Sequence, residues 1–266
     1  MKRLHPALYV AALATILVIY LPLLAVAAFS INDAERGFVW YGFTLKWYGQ
    51  LWHDQRVRQV TVNTLLLAGA STVISTIIGT LLALGMDRFP WPRRVRTMLD
   101  GVVYLPVVTP DIIIAASLVA AFALLRTLSS FFDPGLPAMI IGHVTFQVSF
   151  VTLVVRSRLA VIGTNLEEAA RDLYASTPYL MRRILLPLLL PGILGGAMLA
   201  LVLSLDDFVI SFFTSGPQST TLPIHIYGEL RRGLTARTHA LSTIILLATV
   251  LLVLALQRLS RRQTDQ

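Results

Sequence analysis

Residues 165–187 read NLEEAARDLYASTPYLMRRILLP, and long apolar stretches precede and follow them. We call these residues the charged segment. Its glutamate, alanine, leucine and arginine residues favour a helix, but its charges are incompatible with the hydrocarbon interior of a membrane. The charged segment is therefore predicted to lie outside the bilayer, where it is available to another molecule or to the membrane surface.

Composition indicates an integral membrane protein. The 266 residues are 56% hydrophobic and only 14% charged, with a mean hydropathy of +0.72, which excludes an ordinary soluble domain. The length accommodates several spans of about 20 residues each, so we expect a single transmembrane domain over residues 1–266. The net charge of +8 comes from basic residues at the ends of apolar stretches, which favours membrane orientation over nucleic-acid binding. The absence of cysteine excludes disulfides and thiolate metal sites.

Six apolar stretches predict an all-α fold with six transmembrane helices, at about 7–29, 62–86, 98–125, 137–160, 188–213 and 239–257. The two termini and the loops on their side of the membrane hold 14 of the 22 Lys and Arg residues. By the positive-inside rule, both termini and the loop at 161–187 are predicted to be cytoplasmic. Four aromatic residues in the first outer loop are interpreted as interfacial side chains: Trp40, Trp47, Tyr48 and Trp52.

The first apolar stretch has two interpretations. Lys2 and Arg3, the apolar run and the small residues Ala25 and Ala27 imitate a secretory signal with a cleavage site. The apolar run of about 20 residues is longer than the usual signal core of about 7 to 15. We therefore favour an uncleaved first helix; cleavage would leave the orientation of the other spans unchanged.

The third span is predicted to be broken. It contains Pro106 and Pro110, and proline interrupts the hydrogen bonds of a helix interior. Thr109 is expected to cap a second helix, with Pro110 in the first helical position and Asp111 in the first turn. Broken helices are tolerated within a bilayer where protein or a water-filled cavity surrounds them, so this break indicates a bundle that encloses a pathway.

The charged segment is predicted to form two short helices. Thr164 and Glu167 fit a capping box, and four apolar residues then fall on one face: Leu166, Ala169, Ala170 and Leu173. Thr177 and Pro178 begin the second helix, and Pro187 is expected to end it. Amphipathicity alone favours a connector lying along the lipid headgroups.

Three aspartates are the candidate pathway residues. Asp206 and Asp207 lie in the fifth apolar stretch, where an aspartate at mid-bilayer costs about 2.5 to 3.5 kcal/mol. Successive helical residues point about 100° apart, so one of the pair is expected to face a cavity and the other to pair with a neighbouring helix. Asp111 is the third candidate, although it also suits a helix N-terminus. For Asp206 and Asp207, structural pairing or solvation at the mouth of the span stays an alternative, and His143 is interpreted as a packed, hydrogen-bonded residue.

The charged segment resembles the EAA loop of permease subunits of ATP-binding-cassette (ABC) importers, through Glu168-Ala169-Ala170, a turn position at 174 and Ile184-Leu-Leu-Pro187. The resemblance implies a methionine-permease-like, type I importer bundle of about six helices. It also implies that the loop docks on an ATPase subunit, through Glu167, Glu168, Ala169, Ala170, Asp172, Leu173 and Tyr174. Where that family has glycine this chain has Tyr174, which would cost roughly 1 to 2 kcal/mol in a left-handed turn.

Further segments look like those of spermidine/putrescine permeases: Thr44–Tyr48, Leu105–Asp111, His143–Phe146, Ser204–Phe208 and Thr221–Pro223. The resemblance implies polyamine uptake across a bacterial cytoplasmic (inner) membrane. A polyamine is an extended polycation, and carboxylates spaced along a wet pathway would substitute for its hydration. An anion or a metal chelate is the alternative solute within the same class.

The sequence contains no phosphate loop, no H-E-x-x-H and no G-x-S-x-G motif. We therefore expect no catalytic residues, no metal site and no cofactor bound by this chain. The resemblance implies that a partner subunit hydrolyses ATP, that a second, paralogous permease completes the pathway and that a solute-binding protein delivers substrate. An ion-coupled secondary transporter is the rival class, but it would leave the charged segment unexplained.

Overall fold

The computed structural model describes residues 6–35 and 39–264, and the side chains of residues 8–35 and 39–251. The described chain is helical, and its one strand-like feature is an isolated bridge between Asn32 and Phe43. The helices are α1 (Pro6–Phe29), α2 (Lys46–His53), α3 (Gln55–Arg88), α4 (Arg93–Val108), α5 (Asp111–Leu125), α6 (Leu136–Ile162), α7 (Asn165–Asp172), α8 (Thr177–Tyr179), α9 (Leu186–Asp206), α10 (Val209–Thr214), α11 (Leu222–Arg232) and α12 (Ala236–Thr264).

Among the described residues, four helical stretches are long and apolar enough to cross a membrane: Leu8–Phe29, Gln55–Arg88, Leu136–Ile162 and Thr177–Asp206. The pair α4 and α5 makes a fifth if it is one bent span. The sixth predicted span falls in α12, whose described apolar part, Ala236–Leu251, is shorter. The predicted count of six is therefore not confirmed. Lys2, Arg3 and Arg36, which contributed to the orientation argument, lie outside the described residues.

The predicted break in the third span is confirmed, with a different cap. Helices α4 and α5 meet at a bend of 109°. Thr109 does not cap α5, because its hydroxyl donates backward to the Leu105 carbonyl oxygen at 2.7 Å, and Pro110 occupies the N-cap position with Asp111 as the first helical residue. Pro106 remains inside α4. The break follows from Pro110, which restricts Thr109 to an extended backbone.

The described chain forms two compact units. The first contains the described residues up to Gln59 together with His225–Leu259, and the second contains Val60–Ile224 and the end of the chain. In the first unit, the predicted interfacial role of Trp47 is wrong, because its side chain is buried and its indole N–H donates to the Asn32 carbonyl oxygen at 2.8 Å. Trp52 in the same helix is 85% exposed.

Close contacts between α3, α6 and α9 form the core of the second unit. Its buried apolar cluster includes Ala83, Val151, Leu159, Leu189 and Ala200. Glycines let the helices approach Val151 from two sides, since a Cβ added to Gly79 would lie 2.8 Å from the Val151 Cβ and one added to Gly196 would lie 3.2 Å from its Cγ1. This packing places α6 in the centre of the unit.

Gly79→Ala is expected to destabilise the protein by about 1 to 3 kcal/mol, because the added methyl group overlaps Val151 on a packed helix. Gly69→Ala in the same helix is the matched control, since nothing lies within 4 Å of its added Cβ. The thermal unfolding midpoint of the purified variants measures the difference. Equal midpoints for the two variants would contradict the packing described.

Candidate coupling and transport sites

Helix α7 begins at Asn165, as the sequence predicts, but without a capping box. Thr164 makes no side-chain cap hydrogen bond. The Glu167 carboxylate instead accepts from the Arg88 Nε at 2.5 Å, and a second guanidinium N–H of Arg88 donates to the Gly163 carbonyl oxygen at 3.0 Å. A charge-assisted bond to a guanidinium is about twice as strong as a neutral one, which explains why Glu167 turns to Arg88.

The apolar residues that were predicted to share one face of α7 are mostly exposed. Ala170 is buried together with Glu167, whereas Leu166 is 50% exposed and Leu173 is 82% exposed. Three other predicted docking residues are also exposed: Glu168, Ala169 and Asp172. The outer surface of α7 is therefore a mixed patch of apolar and acidic side chains.

Tyr174 has a left-handed backbone, with φ of 59°, and is the one non-glycine residue with positive φ in the described chain. Its N–H donates to the Arg171 carbonyl oxygen at 2.9 Å, and the Ala175 N–H donates to the Ala170 carbonyl oxygen at 3.0 Å. These two hydrogen bonds form a Schellman motif, in which glycine usually occupies the left-handed position that Tyr174 has here. The turn at Tyr174 is therefore left-handed, which is the condition under which tyrosine is expected to cost stability relative to glycine, and its side chain is 96% exposed.

Tyr174→Gly is expected to stabilise the protein by roughly 1 kcal/mol, because glycine adopts this backbone without strain. It should leave transport intact or raise it. Tyr174→Ala is the control, since alanine removes the ring but keeps the left-handed strain. Thermal unfolding of both variants distinguishes the backbone from the side chain, and a large loss of uptake in Tyr174→Gly would show that the phenol ring itself is needed.

The second helix of the charged segment does not end at Pro187. It begins at Thr177, passes through a π-helical turn over Leu180–Leu185 and continues as α9, so that Thr177–Asp206 is one stretch of 30 residues. Pro187 lies in the first turn of α9, where a residue without an N–H is tolerated. The π-helical turn changes the hydrogen-bond pattern just before the proline.

The predicted fifth span is broken at the aspartate pair. Helix α9 ends at Asp206 and α10 begins at Val209, with Asp207 in an extended conformation between them. Asp111 lies at the break between α4 and α5. The three candidate carboxylates, which we call the carboxylate cluster, thus lie at two helix breaks, and the helices that follow these breaks, α5 and α10, pack together through Ala115 and Ile210. Both Asp111 and Asp206 are exposed.

Asp207 turns into the bundle. Its side chain is 8% exposed and lies 3.2 Å from the His143 Nε2. The carboxylate also accepts from the backbone N–H of Ser211 at 2.8 Å and of Ile210 at 3.3 Å. Asp207 therefore holds the start of α10 on His143 of α6, which matches the prediction that one aspartate of the pair contacts a neighbouring helix.

His143 is fully buried and hydrogen-bonded, as predicted. Its Nδ1 lies 2.8 Å from the Ser204 hydroxyl, and its Nε2 lies 3.0 Å from the Ser211 hydroxyl. Ser204 also contacts the Ser71 hydroxyl of α3 at 3.2 Å. Polar side chains thus connect α3, α6, α9 and α10 beside the exposed carboxylates.

A sequence profile of the family described as "Binding-protein-dependent transport system inner membrane component" matches residues 75–265. The chain belongs to this family. This permease is 34% identical over 246 residues to the "Spermidine/putrescine transport system permease protein PotC" of Escherichia coli (strain K12), and the alignment covers 92% of this chain and 90% of the relative.

Two solved structures share the fold of this permease. One is the bacterial ABC transporter involved in the import of the acidic polysaccharide alginate, with a TM-score of 0.76 at 20% identity, covering 96% of this chain and 95% of that chain. The other is an inward-facing structure of the MetNI methionine ABC transporter, with a TM-score of 0.60 at 22% identity, covering 81% of this chain and 98% of that chain. The fold is that of an ABC importer permease in a multi-pass membrane protein.

Sequence reasoning about this permease missed the residues that hold its helices together. Arg88 and Arg156 were counted only as basic residues near span ends, yet both form ion pairs between helices. The acidic residues Asp87 and Asp100 beside the same span ends were the available signal. The sequence could not show which of these residues pair, because the partners are 56 to 79 positions apart in the chain.

Proposed function

We propose that this chain is the permease subunit of an ATP-driven importer of polyamines. The observation that carries the proposal is the position of Asp111, Asp206 and Asp207 at two helix breaks, in a chain that is 34% identical to a spermidine/putrescine permease. Amines of the lysine type are protonated at neutral pH, so putrescine and spermidine are extended polycations. Closely spaced carboxylates repel one another, and a polycation between them relieves that repulsion.

The proposed roles of the three aspartates differ. Asp111 and Asp206 are exposed and are assigned to the substrate pathway. Asp207 is engaged by His143 and by the first amides of α10, so its proposed role is to hold Asp206 at the break. A cation moving along the pathway would exchange part of its hydration for these carboxylates.

The proposed energy source is an ATPase subunit that docks on the outer surface of α7. Exposed apolar and acidic side chains on that surface, Leu166, Leu173, Glu168 and Asp172, suit a protein partner. This docking implies that the charged segment and both termini are cytoplasmic, in a bacterial inner membrane. A second permease subunit would complete the pathway, and a solute-binding protein would deliver substrate on the opposite side.

The proposed chemistry of this subunit is binding and conformational change, without catalytic residues, metal or cofactor of its own. ATP bound and hydrolysed by the partner ATPases would draw the two coupling helices together and open the bundle outward. Release of substrate to the cytoplasm would follow hydrolysis. Helix breaks at Thr109 and Asp207 are the positions where such a bundle bends with least loss of hydrogen bonding.

Reconstitution tests the proposal. The permease is incorporated in proteoliposomes with its ATPase, its partner permease and its binding protein, and uptake of labelled putrescine and spermidine is measured with and without ATP. We expect uptake that requires ATP and the binding protein. Uptake driven by an ion gradient alone would contradict the importer mechanism, and ATP-dependent uptake of an anion or a metal chelate in place of polyamines would contradict the substrate.

A further inference from the structure

Two ion pairs meet at the last two residues of α3, and a third extends them to α4. Arg88 binds Glu167 of α7, with its Nε 2.5 Å from the carboxylate oxygen. The neighbouring Asp87 accepts from the Nε of Arg156 on α6 at 3.0 Å, and the Nη1 of Arg156 lies 2.7 Å from Asp100 of α4. A continuous chain of charged contacts therefore runs from α7 through α3 and α6 to α4.

Most of these side chains are largely shielded from solvent. Those of Arg88 and Glu167 are 19% and 9% exposed, and those of Asp87 and Arg156 are 14% and 17% exposed, whereas Asp100 is 34% exposed. Ion pairs at such depth are screened weakly by salt and are directional, because each guanidinium presents a planar fork of donors. They resist displacement of one helix relative to the next more than an apolar contact would.

Helix α7 contacts the bundle through a small part of its surface. Glu167 and Ala170 are its two buried residues, and the helix packs against the π-helical turn Leu180–Leu185. Arg88 additionally donates to the Gly163 carbonyl oxygen, just before α7. The Arg88 guanidinium thus holds both the start of α7 and its first turn on the end of α3.

At its other end, the chain of contacts reaches the broken span. Asp100 lies in α4, which continues to the 109° bend before α5. Asp111 is the first residue of α5 and belongs to the carboxylate cluster. A shift of α4 at Asp100 therefore acts on the bend that positions Asp111.

We propose that Glu167, Arg88, Asp87, Arg156 and Asp100 form a mechanical connection that transmits displacement of α7 to the bend between α4 and α5. The proposal rests on the proposed function, in which an ATPase moves α7. It assigns Glu167 an internal role, so that within the first turn of α7 the exposed Glu168 is left to contact the ATPase. These five residues are positioning residues and do not contact substrate.

A distance measurement across the bend tests the proposal without any transported substrate. The chain has no cysteine, so Met98→Cys in α4 and Leu124→Cys in α5 introduce two unique thiols in this subunit. Both positions are well exposed, at 71% and 75%. Spin labels on the two thiols are measured by pulsed electron resonance in the assembled complex with its ATPase, with no nucleotide and with ATP and vanadate.

We expect the label distance to change with nucleotide in the otherwise unaltered complex. Glu167→Gln, Arg88→Gln and Asp100→Asn should each reduce this change at least twofold, and the exchange Arg88→Glu with Glu167→Arg should restore more of it than either single charge change allows. Arg232→Gln is the control, because it removes an exposed ion pair with Glu229 far from α7 in the sequence.

Binding of the ATPase and the rate of ATP hydrolysis are measured on the same samples, which shows whether each variant assembles. If a single variant fails to assemble, the double variant Arg88→Glu with Glu167→Arg is used in its place. A full distance change in assembled Glu167→Gln and Arg88→Gln complexes would overturn the proposal, as would the absence of any change in the unaltered complex. Failure of the unaltered complex to import polyamines, with the distance changes as expected, would contradict the proposed substrate and leave the mechanical connection standing.

Discussion

Asparagine in place of Asp206 or Asp111 is expected to lower polyamine uptake at least tenfold while the assembled complex remains folded. Both side chains are exposed, so neither change leaves a buried group without a partner. A hydrogen bond to a charged group contributes about 1.5 to 3 kcal/mol, and 1.4 kcal/mol corresponds to a factor of ten in affinity. The loss should therefore appear mainly as weaker substrate interaction, in uptake measured over a range of substrate concentrations.

Two controls make this result specific. Asp133→Asn removes another exposed carboxylate, which follows the short turn Ser130–Phe132 and lies at neither helix break, and should leave uptake within about twofold of the unaltered protein. Asp206→Glu keeps the charge and should retain more uptake than Asp206→Asn. Unchanged uptake in both Asp206→Asn and Asp111→Asn would remove the carboxylates from the substrate pathway.

His143→Leu is expected to cost about 3 kcal/mol of stability, because it leaves the buried carboxylate of Asp207 without its imidazole partner. It also removes the contacts of two buried hydroxyl groups, those of Ser204 and Ser211. We expect a lower yield of folded permease and a markedly lower unfolding midpoint. Asp207→Asn should cost less, since its side-chain oxygen can still accept from the Ser211 N–H.

His239→Leu is the matched control for this prediction. His239 is also buried, at 7% exposure, but its ring packs against Phe29 with centroids 6.0 Å apart. Leucine replaces that apolar contact with similar volume, so the expected cost is below about 1.5 kcal/mol. Unfolding midpoints for His143→Leu and His239→Leu that agree within error would show that the contact between His143 and Asp207 contributes little.

A feature whose conformation depends on its neighbours in the sequence was predicted correctly, whereas a residue whose contact lies far away in the chain was not. The helix break at Pro110 was predicted well, because a ring that restricts the preceding residue is a local property of the backbone. Glu167 was predicted wrongly, because its carboxylate meets Arg88, 79 residues away, in place of the backbone three residues away. Pro187 was also misinterpreted, because a π-helical turn lets the helix continue through it.

By itself, the sequence determined the class of the protein, the break before Asp111 and the three candidate aspartates. Each of these depends on composition or on neighbours within a few positions. Only the tertiary structure decided that Asp207 turns inward to His143 while Asp206 stays exposed, and that Glu167 binds α3 while Glu168 faces outward. Those outcomes depend on the distances between helices that are remote in the chain, and short-range propensities contain no information about such distances.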